Sequence, residues 1–550
     1  MRARRTALLS AAMLAVASVA AGCGSDSDVD YVVDGPLTTY NSATVVGAAS
    51  GGPQAFARTQ TGFNYHGPDG QMVGDRDFGT VAVVGRAPLT LDYTIADNAV
   101  YSDGKPVTCD DLVLAWAAQS GQYSAFDAAS RAGYSDIAAV DCAPGQKKAR
   151  VTFVRDRAYT DVGQLFSATS MMPSHVIADA LNLGDGGVTK AVQSADVPTL
   201  VRIAQAWNTT WDLKPGVDVK KFPSAGPYKL SSVGADGSIS LVANDKWWGT
   251  KPKIGKITVA PRSAGLQNRI KAGNVAIADI ATGSVDGLKA PDGYTSADQP
   301  SAGIEQLIFG PQGPMADPGS RRALALCTPR DTIAAAAGQP IANARLNPVN
   351  DDSLTVAESP APENAGAGAQ FVTADIDGAR TAADGQPLTV RIGYLGPDAR
   401  LAKVVDLIAK SCAAAGITVK DAGGPSVGPQ SLRNNDIDVL LASVGGGAGS
   451  GSSGSSAVDA YSLHSGNGNN LGGYANERVD GVIATLATTT DPKDQARLLG
   501  EGAAVLWADL PTLPLYRQQR TLVASNKLSA VTDSPTRWGA GWNMDRWAVN

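Results

Sequence analysis

The chain has 550 residues and a formal net charge of −6. That length is ample for two or three domains. The acidic balance argues against a nucleic-acid partner and against a polybasic membrane patch.

Arg2, Arg4 and Arg5 precede an uncharged apolar run at residues 6–21. The run is too short and too rich in small residues for a membrane span, which needs about 20 strongly apolar residues. A basic start, an apolar middle and small residues at the end read as a secretory leader over residues 1–22. The run ends Ala20-Ala21-Gly22-Cys23. Small residues before a cysteine suit a lipoprotein signal peptidase, after which the Cys23 thiol carries a diacylglyceryl group and palmitate can complete the anchor. Ala20 stands where such leaders usually have Leu. Residues 23–30 then read as a polar tether, and loss of the three leader arginines takes the charge from −6 to −9. The expected location is extracytoplasmic, held to the cell membrane by lipid.

Residues 28–41 open with the alternation of a strand. Residues 80–86 and 89–95 read as paired strands broken by Pro88. In residues 97–121, Asp103-Gly104 marks a turn, and Thr108 with Asp111 three positions on is a capping-box variant. Leu112, Val113 and Trp116 give that helix a buried face. Residues 150–154 form a strand, and a helix follows Pro173. Residues 224–233 and 238–245 read as a hairpin ending in Trp247-Trp248. Residues 268–280 give a short helix, a glycine turn and a strand. Asp317 caps a helix that opens with Pro318. After a strand at 388–395, Leu401, Val404, Val405, Ile408 and Cys412 recur at helical spacing, and Gly416 ends the helix. Strands at 417–421 and 437–444 follow, then a helix carrying Leu499, Ala503, Leu506 and Trp507 that Pro511 stops. Strands alternating with helices at this density imply an α/β architecture. Residues 445–456, GGGAGSGSSGSS, are expected to form a flexible loop, and the Pro/Ala/Glu-rich residues 357–368 a second.

With Cys23 set aside, Cys109, Cys142, Cys327 and Cys412 remain. An even number in an exported chain suggests two disulfides, in any of three pairings. His66, His175 and His464 are widely spaced and make no zinc pattern, so no metal and no cofactor are expected. Ser102 and Lys105 match S-x-x-K, but Gly104 and Pro106 forbid the helix that chemistry needs. The G-x-G-x-x-G at residues 449–454 lies in low-complexity sequence with no amphipathic helix after it. The chain reads as a binding protein and not as an enzyme.

Several segments, in order, resemble the bacterial extracellular solute-binding family that includes dipeptide- and oligopeptide-binding components of ABC importers. They are YSDGKPVTCDDLVLAW (101–116), MMPSHV (171–176), SAGPYKL (224–230), WWGTKPKIGKITV (247–259), NRIKAGNVAIADI (268–280), SRRALALCTPRDTI (320–333), GGYANERVDGVI (472–483) and DLPTLPLYRQQ (509–519). The high Ala and Gly content fits an actinobacterial source.

The resemblance implies a two-lobed periplasmic-binding-protein fold with an extra subdomain on a discontinuous N-terminal lobe. The implied division is lobe I at 31–281 with the subdomain at about 60–170, lobe II at 282–518, and a return to lobe I at 519–550. Hinge crossings are expected near Ala281 and Gln518. This division favours Cys109–Cys142 and Cys327–Cys412, each within one lobe. The implied function is capture of an oligopeptide or similar extended solute between the lobes and delivery to an ABC permease, by a monomer tethered through its lipid. The alternative is a cell-envelope accessory lipoprotein of the same fold that binds a glycolipid or regulates envelope assembly.

In peptide-binding members the ligand pairs its backbone with strands of both lobes. By position, the first contact strand should lie within residues 46–52, including Gly47 and Ala48, and the second within 442–446, including Ser443 and Gly445. Tyr40, Phe56 and Arg58 are further cleft candidates. Peptide binders usually carry an aromatic residue and an ammonium-pairing Asp after the second strand. Here the nearest acid is Asp459, beside Tyr461, so either Asp459 takes that role or no ammonium is bound.

Overall fold

A computed structural model describes residues 28–346, 367–447, 449 and 451–550. Cys23, its leader and residues 357–366 lie outside the described residues. Among the described residues no helix is long and apolar enough to cross a membrane.

Tyr31, Val32 and Val33 are buried in the first strand, Asp28–Val33. It pairs in parallel with Lys256–Pro261 on one side and Ile277–Ala281 on the other, so both its edges are filled. The strand thus starts inside the expected tether and stops well before residue 41. It belongs to a ten-stranded mixed sheet. From one end the order is Ile417–Asp421, Leu388–Gly393, Val439–Ala442, Tyr294–Phe309, Thr512–Ser525, Ile277–Ala281, Asp28–Val33, Lys256–Pro261, Ile239–Ala243 and Tyr228–Val233.

The two longest strands, Tyr294–Phe309 and Thr512–Ser525, form an antiparallel ribbon in the middle of this order. Its register shifts between Pro300 and Ile304 and again between Glu305 and Gln306. Extra residues on one strand bend a ribbon and increase its twist. One end of the ribbon carries Ile277–Ala281 and the strands beyond it, and the other carries Val439–Ala442 and its neighbours. The ribbon therefore joins two α/β lobes. One apolar cluster holds Leu307, Val390, Ile408, Val439 and Leu513. The other holds Tyr31, Trp207, Trp211, Tyr228 and Trp547 and runs across the seam to Val479, Ile483 and Leu498. The expected crossing near Gln518 falls beside the irregular part of the ribbon. The strand ending at Ala281 precedes it. A separate four-stranded antiparallel sheet orders Gly79–Arg86, Leu89–Ile95, Lys148–Phe153 and Ile137–Asp141.

The local signals act as chemistry requires. The Thr108 backbone N–H donates to Asp111 Oδ2 at 3.1 Å ahead of helix Cys109–Gln119. Asp317 accepts from Ser320 N at 2.7 Å ahead of Pro318–Cys327. Asp398 accepts from Leu401 N at 2.9 Å ahead of Ala399–Ala413.

Cys109 is bonded to Cys142 and Cys327 to Cys412, the pairing that the lobe division favours. The first ties a helix start to the end of strand Ile137–Asp141. The second joins the end of one helix to the last turn of another. Each closed loop restricts the unfolded chain, by roughly 3.5–4.5 kcal/mol in the chain-entropy model. Cys327→Ser with Cys412→Ser should lower the unfolding free energy by about 3 kcal/mol in urea titration. An unchanged midpoint would show that this bond does not hold the second lobe together.

Candidate functional site

The lobes meet along an extensive polar seam. Arg262, at the end of strand Lys256–Pro261, is held by both. Its Nε donates to Asp34 Oδ1 at 2.8 Å, and Nη2 donates to Asp398 Oδ2 at 3.3 Å. Nη1 also donates to the Pro397 carbonyl. All three charged side chains are at most 4% exposed. Arg400 extends the network to Glu305 and to the Tyr516 hydroxyl, at 2.7 Å from the latter. Farther along, Arg433 bonds Asp127 Oδ1 at 3.0 Å, and Arg157 Nη1 donates to the Ala484 carbonyl at 2.8 Å. The Arg131 backbone N–H donates to Asn467 Oδ1 at 3.0 Å. This is a closed arrangement of the two lobes.

The seam holds a partly open cavity of about 60 Å³. On that scale a water needs about 10–15 Å³, so it has room for a few waters or one small polar group. Ser42, Gln119, Ser130, Gln164, Thr169, Ser170 and Arg537 give its polar wall, with Ala48, Tyr134, Val458, Asn469 and Trp538 beside them. A cavity of about 20 Å³ adjoins it through Asn469 and is lined in part by Gly445 and Asp459.

Of the residues singled out from sequence, the structure brings only Ala48 to the larger cavity and only Gly445 and Asp459 to the smaller. Tyr40 and Phe56 are fully buried and meet edge to face at 4.8 Å. The Tyr40 ring also meets Phe222 at 5.8 Å. These aromatics are lobe core, and burial pushes the Tyr40 hydroxyl up to about 12. Arg58 pairs with Asp545 at 3.0 Å and Asp75 at 3.4 Å and lies over the Tyr65 ring at 4.8 Å. Those contacts use its charge inside one lobe. Tyr461 is buried and stacks on His464 at 4.9 Å.

The two expected contact strands are corrected. Residues 46–52 do not form a strand. They lie in the helical turns Val45–Ala48 and Gly52–Phe56 and the bend 49–51 between them; Thr44 Oγ1 accepts from Gly47 N at 3.0 Å, and Pro53 sits in the first turn of the second. Gly47 is required by crowding, since a Cβ there would lie 2.1 Å from the Asn41 carbonyl oxygen. The second strand stops at Ala442, and Val444–Gly446 is a 3₁₀ turn with Gly445 at φ +71°. Ser443 N bonds the Gly447 carbonyl at 3.0 Å, so its edge is occupied by its own chain.

The Gly/Ser stretch also departs from expectation. In its described part Ser452, Ser453 and Ser455 are buried, not solvated. Gly451 N donates to Ser443 Oγ at 2.9 Å, and the Ser452 carbonyl accepts from Arg537 N at 3.0 Å. Ser455 Oγ donates to Asp161 Oδ2. The stretch thus bridges the lobes. Asp459 organises it: Oδ2 accepts from Ser452 Oγ at 2.7 Å and Oδ1 from Ser453 N at 2.9 Å. Each carboxylate oxygen thus accepts one bond from the chain itself. Burial raises the Asp459 pKa.

Sequence reasoning missed Ser42, Gln119, Gln164 and the Arg537-Trp538 pair. The Arg537 guanidinium lies over the Trp538 ring at 4.6 Å, and Trp538 stacks on His66 at 3.9 Å. Trp538 Nε1 donates to Thr169 Oγ1 at 3.1 Å. His66 Nδ1 faces the Gly70 carbonyl at 3.1 Å; a carbonyl only accepts, so Nδ1 carries the proton.

Two tests follow from this geometry. Arg262→Met should cost about 3–5 kcal/mol in urea unfolding, because it leaves Asp34 buried without its cation and Asp398 with only Arg400, at 3.5 Å. Adding Asp34→Asn and Asp398→Asn should recover most of that loss; no recovery would rule out the uncompensated-charge explanation. Burial pushes His66 down to about 4, below its unfolded value of about 6.5. The unfolded chain then binds the extra proton in that window, so this contribution is full above pH ~6.5 and is lost as pH falls toward ~4, up to about 3 kcal/mol. His66→Gln should flatten the fall in urea midpoint over that range, and an unchanged slope would contradict the assignment.

Comparison with known proteins fits this architecture. The model of the bacterial extracellular solute-binding proteins, family 5 middle region, matches residues 86–466. A lipoprotein of Mycobacterium tuberculosis, Rv2585c, is 59% identical over 98% of this chain and 96% of its own length. The periplasmic EDTA-binding protein EppA superposes with a TM-score of 0.73 at 19% identity, covering 95% of this chain and 96% of that one. The Bacillus subtilis oligopeptide-binding protein AppA, solved with a nonapeptide, gives 0.72 at 14% identity, covering 95% and 99%. With well over half its length matched by the family model, the chain belongs to the bacterial extracellular solute-binding proteins of family 5.

Proposed function

We propose that the protein is a lipid-anchored receptor that closes its two lobes around a solute outside the cytoplasm and presents it to an ABC permease. In this reading residues 31–281 and 519–550 form one lobe and 282–518 the other. Cys23 carries the lipid, and the receptor acts as a monomer. The observation that carries the reading is the polar cavity lined by residues of both lobes, from Ser42 and Gln119 to Val458 and Asn469. Hinge closure around a guest is the mechanism such an arrangement serves. A tethered receptor stays near its permease at high effective concentration.

The relatives named for peptide binding support an oligopeptide or similar extended solute. The closed cavity is too small for one, so an extended guest requires the lobes apart and residues 451–455 displaced. The second reading is an envelope accessory lipoprotein that handles a glycolipid. It is favoured by the Gly/Ser residues lodged between the lobes, which let the chain close on itself without a guest.

Native mass spectrometry of the protein from its own cells should show a bound solute. After that solute is stripped by unfolding and refolding, calorimetry with a peptide library or a whole-cell metabolite extract should show saturable heat. No guest and no heat with either mixture would contradict the receptor reading.

A further inference from the structure

Arg537 is the single charged side chain lining the interlobe cavity among the described residues. The residue is half-buried, and part of its guanidinium is shut off from solvent. Its Nε is enclosed and has no hydrogen-bond partner. No carboxylate among the described residues forms an ion pair with it. Asp459 is the acid whose charge reaches it, but without an ion-pair contact; its oxygens accept from Ser452 and Ser453. Burial, the dominant effect on Arg537, disfavours its charged form.

The guanidinium is nevertheless held in place. Its flat face rests on Trp538, which is fixed from behind by His66 and at its indole N–H by Thr169. His66 is neutral at physiological pH and adds no competing charge. The cavity has a second unsatisfied group. Ser42 is 4% exposed, and its Oγ has no partner. Leaving a buried donor unpaired costs on the order of 1–3 kcal/mol, and more when it is charged. Arg537 Nε and Ser42 Oγ are two enclosed donors without an acceptor, and both residues line this cavity. A guanidinium offers paired N–H groups matched to the two oxygens of a carboxylate or phosphate.

We propose that the captured solute carries an oxyanion, a carboxylate or phosphate group, which binds in the interlobe cavity to Arg537 with Ser42 as a second donor. The inference rests on the receptor reading above and narrows its substrate class. It places recognition on the anionic end of the guest, where an ammonium contact at Asp459 would have placed it on the cationic end. The oxyanion supplies the counter-charge that the closed protein lacks. It therefore binds the closed form better than the open one, which is the condition for a ligand to shift a conformational equilibrium.

The test uses the full chain, stripped of solute, with inorganic phosphate and acetate as calorimetric probes in chloride of matched ionic strength. Wild type should bind at least one of them, and Arg537→Gln should bind at least about tenfold more weakly, the effect of losing one charged hydrogen bond. Arg537→Lys should recover part of the loss. If Arg537→Gln fails to fold, Ser42→Ala replaces it, with a several-fold weakening expected. Equal binding by wild type and variant, or no oxyanion binding by wild type, overturns the proposal. Mass spectrometry of the natural guest separates this failure from failure of the receptor reading. A neutral or cationic guest refutes the oxyanion site and leaves solute capture standing, whereas the receptor reading fails only if no guest is found at all.

Discussion

The closed shape depends on one buried guanidinium shared between the two lobes. Arg262 reaches Asp34 in one and Asp398 in the other, and the three charges have little access to water. Desolvating such groups costs several kcal/mol each, and their attraction offsets that cost only with good geometry. The cluster is therefore better understood as a selector of arrangement than as a source of stability. Any relative movement of the lobes that lengthens one of its bonds strands a charge in a dry place. It sits near the bent ribbon, where a small rotation moves the far rim of the cleft most.

The Gly/Ser stretch reaches the same cluster: a Cβ on Gly449 would lie 2.9 Å from Asp34 Oδ2. Its glycines admit the backbone between the lobes, and its serines satisfy Asp459. Arg537 Nε and Ser42 Oγ have no partner in this closed arrangement.

Much of the fold is legible in the sequence because its signals are local. Thr108 with Asp111, Asp317 with Pro318, and the apolar recurrence from Leu401 to Cys412 each determine an element within a few residues. The site is far less legible. Residues 46–52 carry glycines that suit either a strand edge or tight helical turns, and the Thr44 cap and Pro53 that decide for helix are easily passed over. Tyr40 and Phe56 look like cleft aromatics until Phe222 packs against them. Arg537 reaches the cavity from the opposite end of the chain to Ser42, a juxtaposition that only the sheet topology creates. The Gly/Ser residues read as a free loop because nothing in their composition foretells the buried carboxylate of Asp459 that orders them.

Solute capture by hinge closure makes a direct claim about shape. Small-angle X-ray scattering should be recorded on the protein as isolated, after its guest is stripped by unfolding and refolding, and after cell extract is restored. The account predicts a larger radius of gyration in the stripped protein and a return to the compact value with extract. Identical scattering in all three states, with a guest demonstrably removed and rebound, would contradict it.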